Sequence, residues 1–227
     1  MRTKAIILKK QNTNEYDQLV TCYTEEFGKL TAVAKSVMKP SSIQAMHLDV
    51  FNLVDFELIN GRGVPIIAGA QAEETYSSLK NHLPLLAIAY FFAETADKIF
   101  FDYQKDDKLW HFLISLFDDL NYKGHPCHDK DDPCDLLRDK QIEFLNILGY
   151  APDLRVCAFC SASTEGVLTA YSVEARGAVC LDCFLSGRRG IALKGGVWQN
   201  TGIIGALFEG LAEKKLYSLN FLNSMLE

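Results

Sequence analysis

The sequence predicts an α+β protein in which a small five-stranded barrel precedes an α-helical domain that carries a four-cysteine module. Short β-prone runs occupy the first 70 residues, apolar positions then recur at helical spacing, and four cysteines stand as two C-x2-C pairs. Of the 227 residues, 48% are hydrophobic and 23% charged, which is enough apolar mass for a core. We expect residues 1–80 to form the barrel domain and residues 81–227 the helical domain, with the cysteine module inserted at about 150–195.

Five segments rich in β-branched and aromatic residues predict the strands of the barrel. Gly28 and the pair Gly61 and Gly63 supply turns between them. Closure of five short strands into a barrel would remove the exposed edges of the sheet. In chain order the segments are residues 4–9, 18–24, 30–34, 47–59 and 64–68.

Apolar residues at i, i+3 and i+4 predict helices from about residue 71 onward. Pro84 suits the first position of the first long helix. The polar segment 122–133, bounded by prolines, is expected to connect two helices. The predicted long helices are residues 84–101, 108–121, 135–148, 197–211 and 213–226.

Hydropathy predicts a soluble, cytoplasmic protein. The longest apolar stretch, residues 83–93, is shorter than the roughly 20 residues of a membrane span, and the first ten residues lack the pattern of a secretory signal. We therefore expect no membrane partner.

Charge is distributed unevenly along the chain. The net charge is −6 overall, but residues 1–45 carry a net +3 whereas residues 81–156 carry −6. Because fields are screened beyond about 8–10 Å, a basic N-terminal face can attract a polyanion although the whole chain is acidic.

The cysteines at 157, 160, 180 and 183 predict a structural zinc site. Two C-x2-C pairs separated by nineteen residues fall within the spacing typical of tetrahedral zinc modules. Paired disulfides are disfavoured in a reducing compartment, and a thioredoxin-like redox pair would need a βαβ context. Since Cys157, Cys160, Cys180 and Cys183 would fill all four ligand positions, the metal is not expected to be catalytic.

The other cysteines lack such a pattern. Cys22 alternates within a strand and is expected to be a small buried hydrophobe. His125, Cys127, His128 and Cys134 lie in one loop and offer ligands for a second metal, but their spacing matches no familiar finger, so we interpret the loop as solvated.

Motifs of several enzyme classes are missing from the sequence. It contains no G-x-x-x-x-G-K-[ST], no G-x-G-x-x-G after a strand, no G-x-S-x-G and no H-E-x-x-H. The zinc deaminase pattern is also absent, since no H-x-E precedes a P-C-x-x-C. The sequence therefore does not predict an enzyme.

Five segments of the predicted barrel and the cysteine module form a distinctive combination. They are TKAIILK at 3–9, NEYDQLVT at 14–21, TEEFGKLTAVAK at 24–35, LVDFEL at 53–58, and YS followed by GAVC between 171 and 180. Together these segments resemble the RecO family of bacterial DNA repair proteins.

The resemblance implies an N-terminal OB-fold barrel, a C-terminal helical domain and, in many members, a four-cysteine zinc module. It also implies binding of single- and double-stranded DNA, annealing of complementary strands and action with the partner RecR. Together they displace single-stranded-DNA-binding protein so that the RecA recombinase can load. A protein of this kind would be non-catalytic and associated with the nucleoid.

An OB barrel binds single strands through a cationic groove and aromatic platforms. We predict Lys35 and Lys39 as the principal DNA contacts, although this loop holds fewer cations than family members usually carry. Supporting contacts are predicted at Arg2, Lys4, Lys9, Lys10 and Lys29.

A second basic patch is predicted after the cysteine module, at Arg188, Arg189 and Lys194. Tyr16, Tyr23 and Phe27 are candidate stacking platforms, with core packing as the favoured interpretation.

Two other functions remain open from the sequence. The acidic middle section and the sparse basic loop are compatible with a protein-interaction scaffold whose contact with DNA is weak or indirect. A zinc enzyme would require an open ligand position at the metal.

Overall fold

The computed structural model describes residues 1–61, 63–123, 133–151, 153–164, 170–172, 174–192 and 201–226. The chain divides into two compact units, Met1–Asp131 and Asp132–Glu227. The predicted loop ligands His125, Cys127 and His128 lie outside the described residues, as does Lys194.

The first unit begins with the predicted closed barrel, whose strand order is β1-β2-β3-β5-β4. Strand β1 pairs with both β2 and β4, and β3 meets β5 in parallel at Val33 and Ile66, which closes the cylinder. This order is that of an OB fold, and the predicted barrel is confirmed. The strands are β1 (Arg2–Asn12), β2 (Gln18–Thr24), β3 (Gly28–Ala34), β4 (Leu53–Ile59) and β5 (Ile66–Glu74).

Alternate residues of these strands fill the barrel because successive side chains of a strand point to opposite faces. Leu30, Ala32 and Ala34 of β3 are buried, whereas the residues between them are partly exposed. Cys22 is fully buried in the same core, and burial raises the pKa of its thiol. Its predicted role as a buried hydrophobe agrees with this position.

Three helices complete the first unit: α1 (Ser77–Lys80), α2 (Leu83–Ile99) and α3 (Asp107–Lys123). Phe51, just before β4, stacks on Phe117 of α3 at a centroid distance of 5.4 Å and meets the edge of Tyr90 of α2 at 4.8 Å. The ring of Tyr76 lies 5.7 Å from that of Phe117, centroid to centroid. These aromatic contacts explain why the compact unit extends past residue 80, where we predict the barrel domain to end. The domain bounds 1–80 and 81–227 stay a prediction.

The second unit combines helices with a small sheet of order β7-β6-β8. Phe144 of the first helix packs on Phe208 at 5.7 Å. No helix in the described ranges has both the length and the apolar character that a membrane crossing requires. The elements are α4 (Pro133–Ile147), β6 (Ala170–Ser172), β7 (Gly177–Val179), α5 (Leu181–Leu185), β8 (Ile191–Ala192), α6 (Thr201–Ala212) and α7 (Ser218–Leu226).

Candidate metal centre and nucleic-acid surface

The four cysteines of the module converge on one point in the second unit. Their Sγ atoms all lie within 4.8 Å of one another, and those of Cys160 and Cys180 are 3.6 Å apart. They can therefore hold one metal ion. Cys134 of α4 is not part of this group.

Local backbone geometry brings the two cysteine pairs together. The turn at 157–162 is closed by hydrogen bonds from Cys157 N to Ala162 O, at 2.8 Å, and from Ser161 N to Cys157 O, at 2.9 Å. Ala158 N donates to Ala178 O of β7 at 2.8 Å, which places the first pair beside the second. Cys180 follows β7 directly and forms the N-cap of α5.

Hydrogen bonds prepare one of the four thiols for ionisation. Burial opposes the ionisation of Cys157, but backbone N–H groups of Cys180, Phe159 and Cys160 donate to its Sγ and lower its pKa to about 6. Hydrogen bonding with Cys160 raises the pKa of Cys183 to about 12. A thiolate surrounded by three further sulfurs is an arrangement that a bound cation stabilises.

The seven predicted cations of the barrel fall into two groups, and the larger group is paired with carboxylates. Five of them lie within 4.0 Å of a carboxylate, so their charges are partly cancelled before any ligand approaches. The pairs are Arg2 with Asp55 (2.6 Å), Lys4 with Glu73 (2.8 Å), Lys9 with Asp97 (3.8 Å), Lys10 with Asp49 (2.8 Å), and Lys29 with Asp97 (3.7 Å) and Asp102 (3.5 Å).

Lys35 and Lys39 form the other group. Both are exposed, and within the described residues neither takes part in an ion pair. The Nζ atom of Lys39 lies 5.3 Å from the centre of the Tyr16 ring, within the range of a cation–π contact.

The loop that carries these lysines is joined to the turn between β1 and β2. Ser36 N donates to Asp17 Oδ1 at 2.6 Å, and Met38 N donates to Tyr16 O at 3.0 Å. The first of these bonds, a further bond from Asn14 and the charges of Lys35 and Lys39 lower the pKa of Asp17. We call the exposed group Tyr16, Lys35 and Lys39 the loop site.

The three candidate stacking residues occupy different environments. Tyr16 is 41% exposed, and a hydrogen bond from its hydroxyl to Glu15 raises its pKa. Tyr23 is fully buried, its hydroxyl accepts a bond from Asp106 N at 3.0 Å, and burial raises its pKa to about 12. Phe27 is partly buried against the barrel core. Of the three, Tyr16 therefore offers the most accessible ring.

Arg188 and Arg189 are exposed beside the cysteine quartet. Arg188 N donates to Cys183 O at 3.1 Å, and its guanidinium lies 5.1 Å from the centre of the Phe159 ring. Phe159 was not predicted as a site residue. The sequence could have indicated it, because Phe159 lies between the two cysteines of a tight turn. Such a turn leaves the intervening side chains near the surface.

Two family models match the chain. The one described as "Recombination protein O N terminal" matches residues 1–76, and "Recombination protein O C terminal" matches residues 81–198.

Curated relatives named DNA repair protein RecO are similar along most of their length. The protein of Cutibacterium acnes is 30% identical over 185 residues, which cover 80% of this chain and 73% of the relative. That of Dehalococcoides mccartyi is 29% identical over 182 residues, covering 80% and 69%. That of Desulfitobacterium hafniense is 28% identical over 218 residues, covering 96% and 76%.

Proposed function

Because the chain belongs to the RecO family of DNA repair proteins, we propose that it is a non-catalytic mediator of recombinational repair that binds and anneals DNA strands. In this role it helps to load recombinase on single strands coated by single-stranded-DNA-binding protein. The observation that carries the DNA-binding part of the proposal is the loop site, in which Lys35 and Lys39 form no ion pair within the described residues and Lys39 lies over the exposed ring of Tyr16.

The chemistry of the loop site suits a nucleic acid strand. Lys35 and Lys39 attract phosphates, and the face of Tyr16 offers a platform for a base. Since the five other predicted cations of the barrel are paired with carboxylates, we expect few phosphate contacts and a moderate dependence of affinity on salt. Partial neutralisation of two strands at one barrel also lowers their mutual repulsion, which favours annealing.

The metal of the quartet is zinc in this proposal. Four Zn–S bonds of about 2.3 Å in a tetrahedron place the sulfurs about 3.8 Å apart, and the observed separations lie within 4.8 Å. Cys157, Cys160, Cys180 and Cys183 would hold the ion, which crosslinks the two turns. The quartet thereby holds Phe159, Arg188 and Arg189 in place as a second contact surface for DNA.

The protein partners follow from family membership. We propose that RecR and single-stranded-DNA-binding protein bind this chain, and that it acts in the cytoplasm at the nucleoid. Single- and double-stranded DNA are the nucleic acid ligands.

Binding of fluorescent oligonucleotides across a salt series tests the proposal. Neutralising Z phosphates of a single strand gives a log–log slope of about −0.7Z. We expect binding at low salt with a measurable slope, and faster annealing of two complementary oligonucleotides in the presence of the protein. Absence of binding at low salt, or binding that does not respond to salt, would contradict the proposal.

A second candidate function is a protein-interaction scaffold with weak or indirect DNA contact. The neutralisation of Arg2, Lys4, Lys9, Lys10 and Lys29 by carboxylates favours it. Pull-down from nuclease-treated lysate distinguishes the two functions. Proteins that bind a scaffold directly are retained after the DNA is removed, whereas proteins that are held only through DNA are lost. A water or a non-cysteine ligand on the metal would instead support a zinc enzyme.

A further inference from the structure

A cavity of about 310 Å³ opens at the end of the barrel where β3 begins and β4 ends. Its lining includes the apolar side chains of Phe27, Leu30, Leu58 and Pro65, together with Tyr103 from the segment between α2 and α3. Leu30 and Leu58 are each 1% exposed, whereas Tyr103 is 61% exposed. The volume is at the lower end of the range for ligand sites, so it suits one large apolar group.

The edge of β3 beside this cavity is covered at two points. Tyr103 N donates to Lys29 O at 2.7 Å, and Val33 N donates to Pro65 O at 2.8 Å. Because alternate residues of a strand direct their backbone groups to the same side, the N–H and C=O of Thr31 also face this edge. Within the described residues, no strand or bridge pairs with Thr31 on this side, and no backbone hydrogen bond to it is present there.

The uncovered position and the cavity lie between the same two segments. Tyr103 and Pro65 line the cavity and also cover the edge at Lys29 and Val33. Lys29 and Val33 are about 13 Å apart along an extended strand, which is the length of about four residues. A strand edge with unused N–H and C=O groups is a template for another strand, and an adjacent pocket selects the side chains of that strand.

The charge around the cavity indicates the kind of partner. Glu26 is exposed in the turn before β3, and the side chain of Asp102, next to Tyr103, is 54% exposed. Lys29 is only 12% exposed, and its Nζ atom lies 3.5 and 3.7 Å from two carboxylates. Arg62 lies outside the described residues. The exposed carboxylates favour a basic ligand and repel phosphates.

We infer that an extended segment of a partner protein pairs with Thr31 and places one large apolar side chain, flanked by basic residues, in the cavity. This inference goes beyond the proposed function, because the ligand is a polypeptide of opposite charge to DNA. The loop site follows the other end of β3, and Gly28 and Ala34 are about 20 Å apart along that strand. Both ligands can therefore be bound at the same time.

The test measures fluorescence anisotropy of a rhodamine-labelled peptide, KVKFKVT, with the full-length protein. Three altered peptides separate the features of the ligand. KVKAKVT lacks the large apolar side chain, EVEFEVT reverses the charge, and the third carries N-methyl groups on the two lysines that flank phenylalanine. The N-methyl peptide keeps every side chain and both charges but loses two N–H donors that strand pairing would use.

The protein variant is Tyr103→Asn, which removes the ring at the rim of the cavity. Tyr103 has a φ of +61°, a conformation that asparagine tolerates, and its backbone N–H to Lys29 is kept. The matched control is Phe101→Asn, since Phe101 is 74% exposed two residues away but does not line the cavity. Thermal melting checks that both variants are folded.

We expect each altered peptide to bind at least tenfold more weakly than KVKFKVT, because each loses a separate part of the interaction. Tyr103→Asn should weaken binding at least fivefold, and Phe101→Asn should bind as wild type. A saturating concentration of oligo(dT) should leave peptide binding unchanged within about twofold.

Several results would overturn the inference and leave the proposed function standing. They are failure of KVKFKVT to bind, equal binding of any altered peptide, wild-type affinity of the folded Tyr103→Asn variant, and displacement of the peptide by oligo(dT). If Tyr103→Asn unfolds, the comparison of the four peptides with the wild-type protein still decides. Failure of the wild-type protein to bind DNA would refute the proposed function and would not affect this inference.

Discussion

The ammonium nitrogen of Lys39 lies 5.3 Å from the centre of the Tyr16 ring, so the loop after β3 meets the turn between β1 and β2 through a cation and an aromatic face. The backbone hydrogen bond from Met38 N to Tyr16 O holds these two segments next to each other. Exposed cation–π contacts contribute only about 0.5–1 kcal/mol of free energy. A ligand can therefore separate Lys39 from the Tyr16 ring at a small cost in free energy.

Replacement of Tyr16 by alanine should weaken single-strand binding by about five- to a hundredfold, because a base loses its stacking platform. Tyr16→Phe should bind as wild type, since it keeps the ring and loses only the hydroxyl that contacts Glu15. Fluorescence anisotropy with a labelled oligonucleotide measures both. Equal affinity of the alanine and phenylalanine variants would exclude stacking at this residue.

Substitution of both Lys35 and Lys39 should lower the salt dependence of binding. For Lys35→Ala/Lys39→Ala we expect the log–log slope for a single strand to decrease by about 1.4, corresponding to two lost phosphate contacts. Lys4→Ala also removes a positive charge, but from an ion pair with Glu73 at 2.8 Å, and should leave the slope almost unchanged. Equal changes in the two proteins would show that pairing does not decide which cations bind DNA.

Loss of one cysteine ligand should release the metal. Cys160→Ser is expected to contain less than stoichiometric zinc and to exchange backbone amides faster in residues 153–192, because thiolate ligation couples metal binding to folding. Elemental analysis and hydrogen exchange measure these effects. Cys134→Ser is the matched control and should keep its metal, since Cys134 lies outside the quartet. A Cys160→Ser protein with full zinc content and an unchanged melting curve would rule out the quartet as the site.

A methyl group at Gly28 should destabilise the first unit. Gly28 has a φ of +68°, and an added Cβ would lie 2.0 Å from Gln104 O. We expect Gly28→Ala to lower the free energy of unfolding by about 3 kcal/mol or more, from backbone strain and steric overlap. Urea denaturation measures this loss.

Alanine variants of two other glycines distinguish backbone strain from steric overlap as the cause of the loss at Gly28. Gly63 has a φ of +94° but open space around it, so Gly63→Ala should cost about 1 kcal/mol from strain alone. Gly69 has neither feature, and its alanine variant should be close to wild type. A loss at Gly28 no larger than that at Gly63 would mean that the segment at Gln104 moves away easily.

The carboxylate of Asp49 should make stability depend on pH. Burial raises its pKa, but the hydrogen bond from Lys10 and the charges of Lys10 and Lys80 outweigh this effect, so the net pKa is lowered. A lowered pKa in the folded state stabilises the protein above the ordinary aspartate pKa of about 3.9, and this contribution is lost as pH falls through the folded value.

Asp49→Asn should therefore reduce the free energy of unfolding by about 1 kcal/mol at pH 7, and the difference from wild type should shrink as pH falls below about 4. Urea unfolding at pH 7, 5, 4 and 3.5 measures it. A constant difference at all four pH values would mean that the Asp49 charge is not responsible.

Local patterns in the sequence predicted the five strands in order and the cysteine cluster, although β4 begins at Leu53 rather than at residue 47 and β5 continues to Glu74 rather than ending at residue 68. The β-branched and aromatic residues of 18–24 predict a strand without knowledge of its partners, and buried and partly exposed side chains alternate along β3. The spacing of the two cysteine pairs likewise predicted a cluster, because a C-x2-C turn points both sulfurs to the same side.

Whether each cation is paired with a carboxylate depends instead on the tertiary structure. The carboxylates that pair with Arg2 and Lys10 are Asp55 and Asp49, which lie far away in sequence and approach only when the barrel closes. Lys35 forms no ion pair within the described residues. The sequence determined the strands and the cysteine cluster, whose geometry is local. Only the folded barrel decided which charges remain available to a ligand, because electrostatic interactions depend on distances in space.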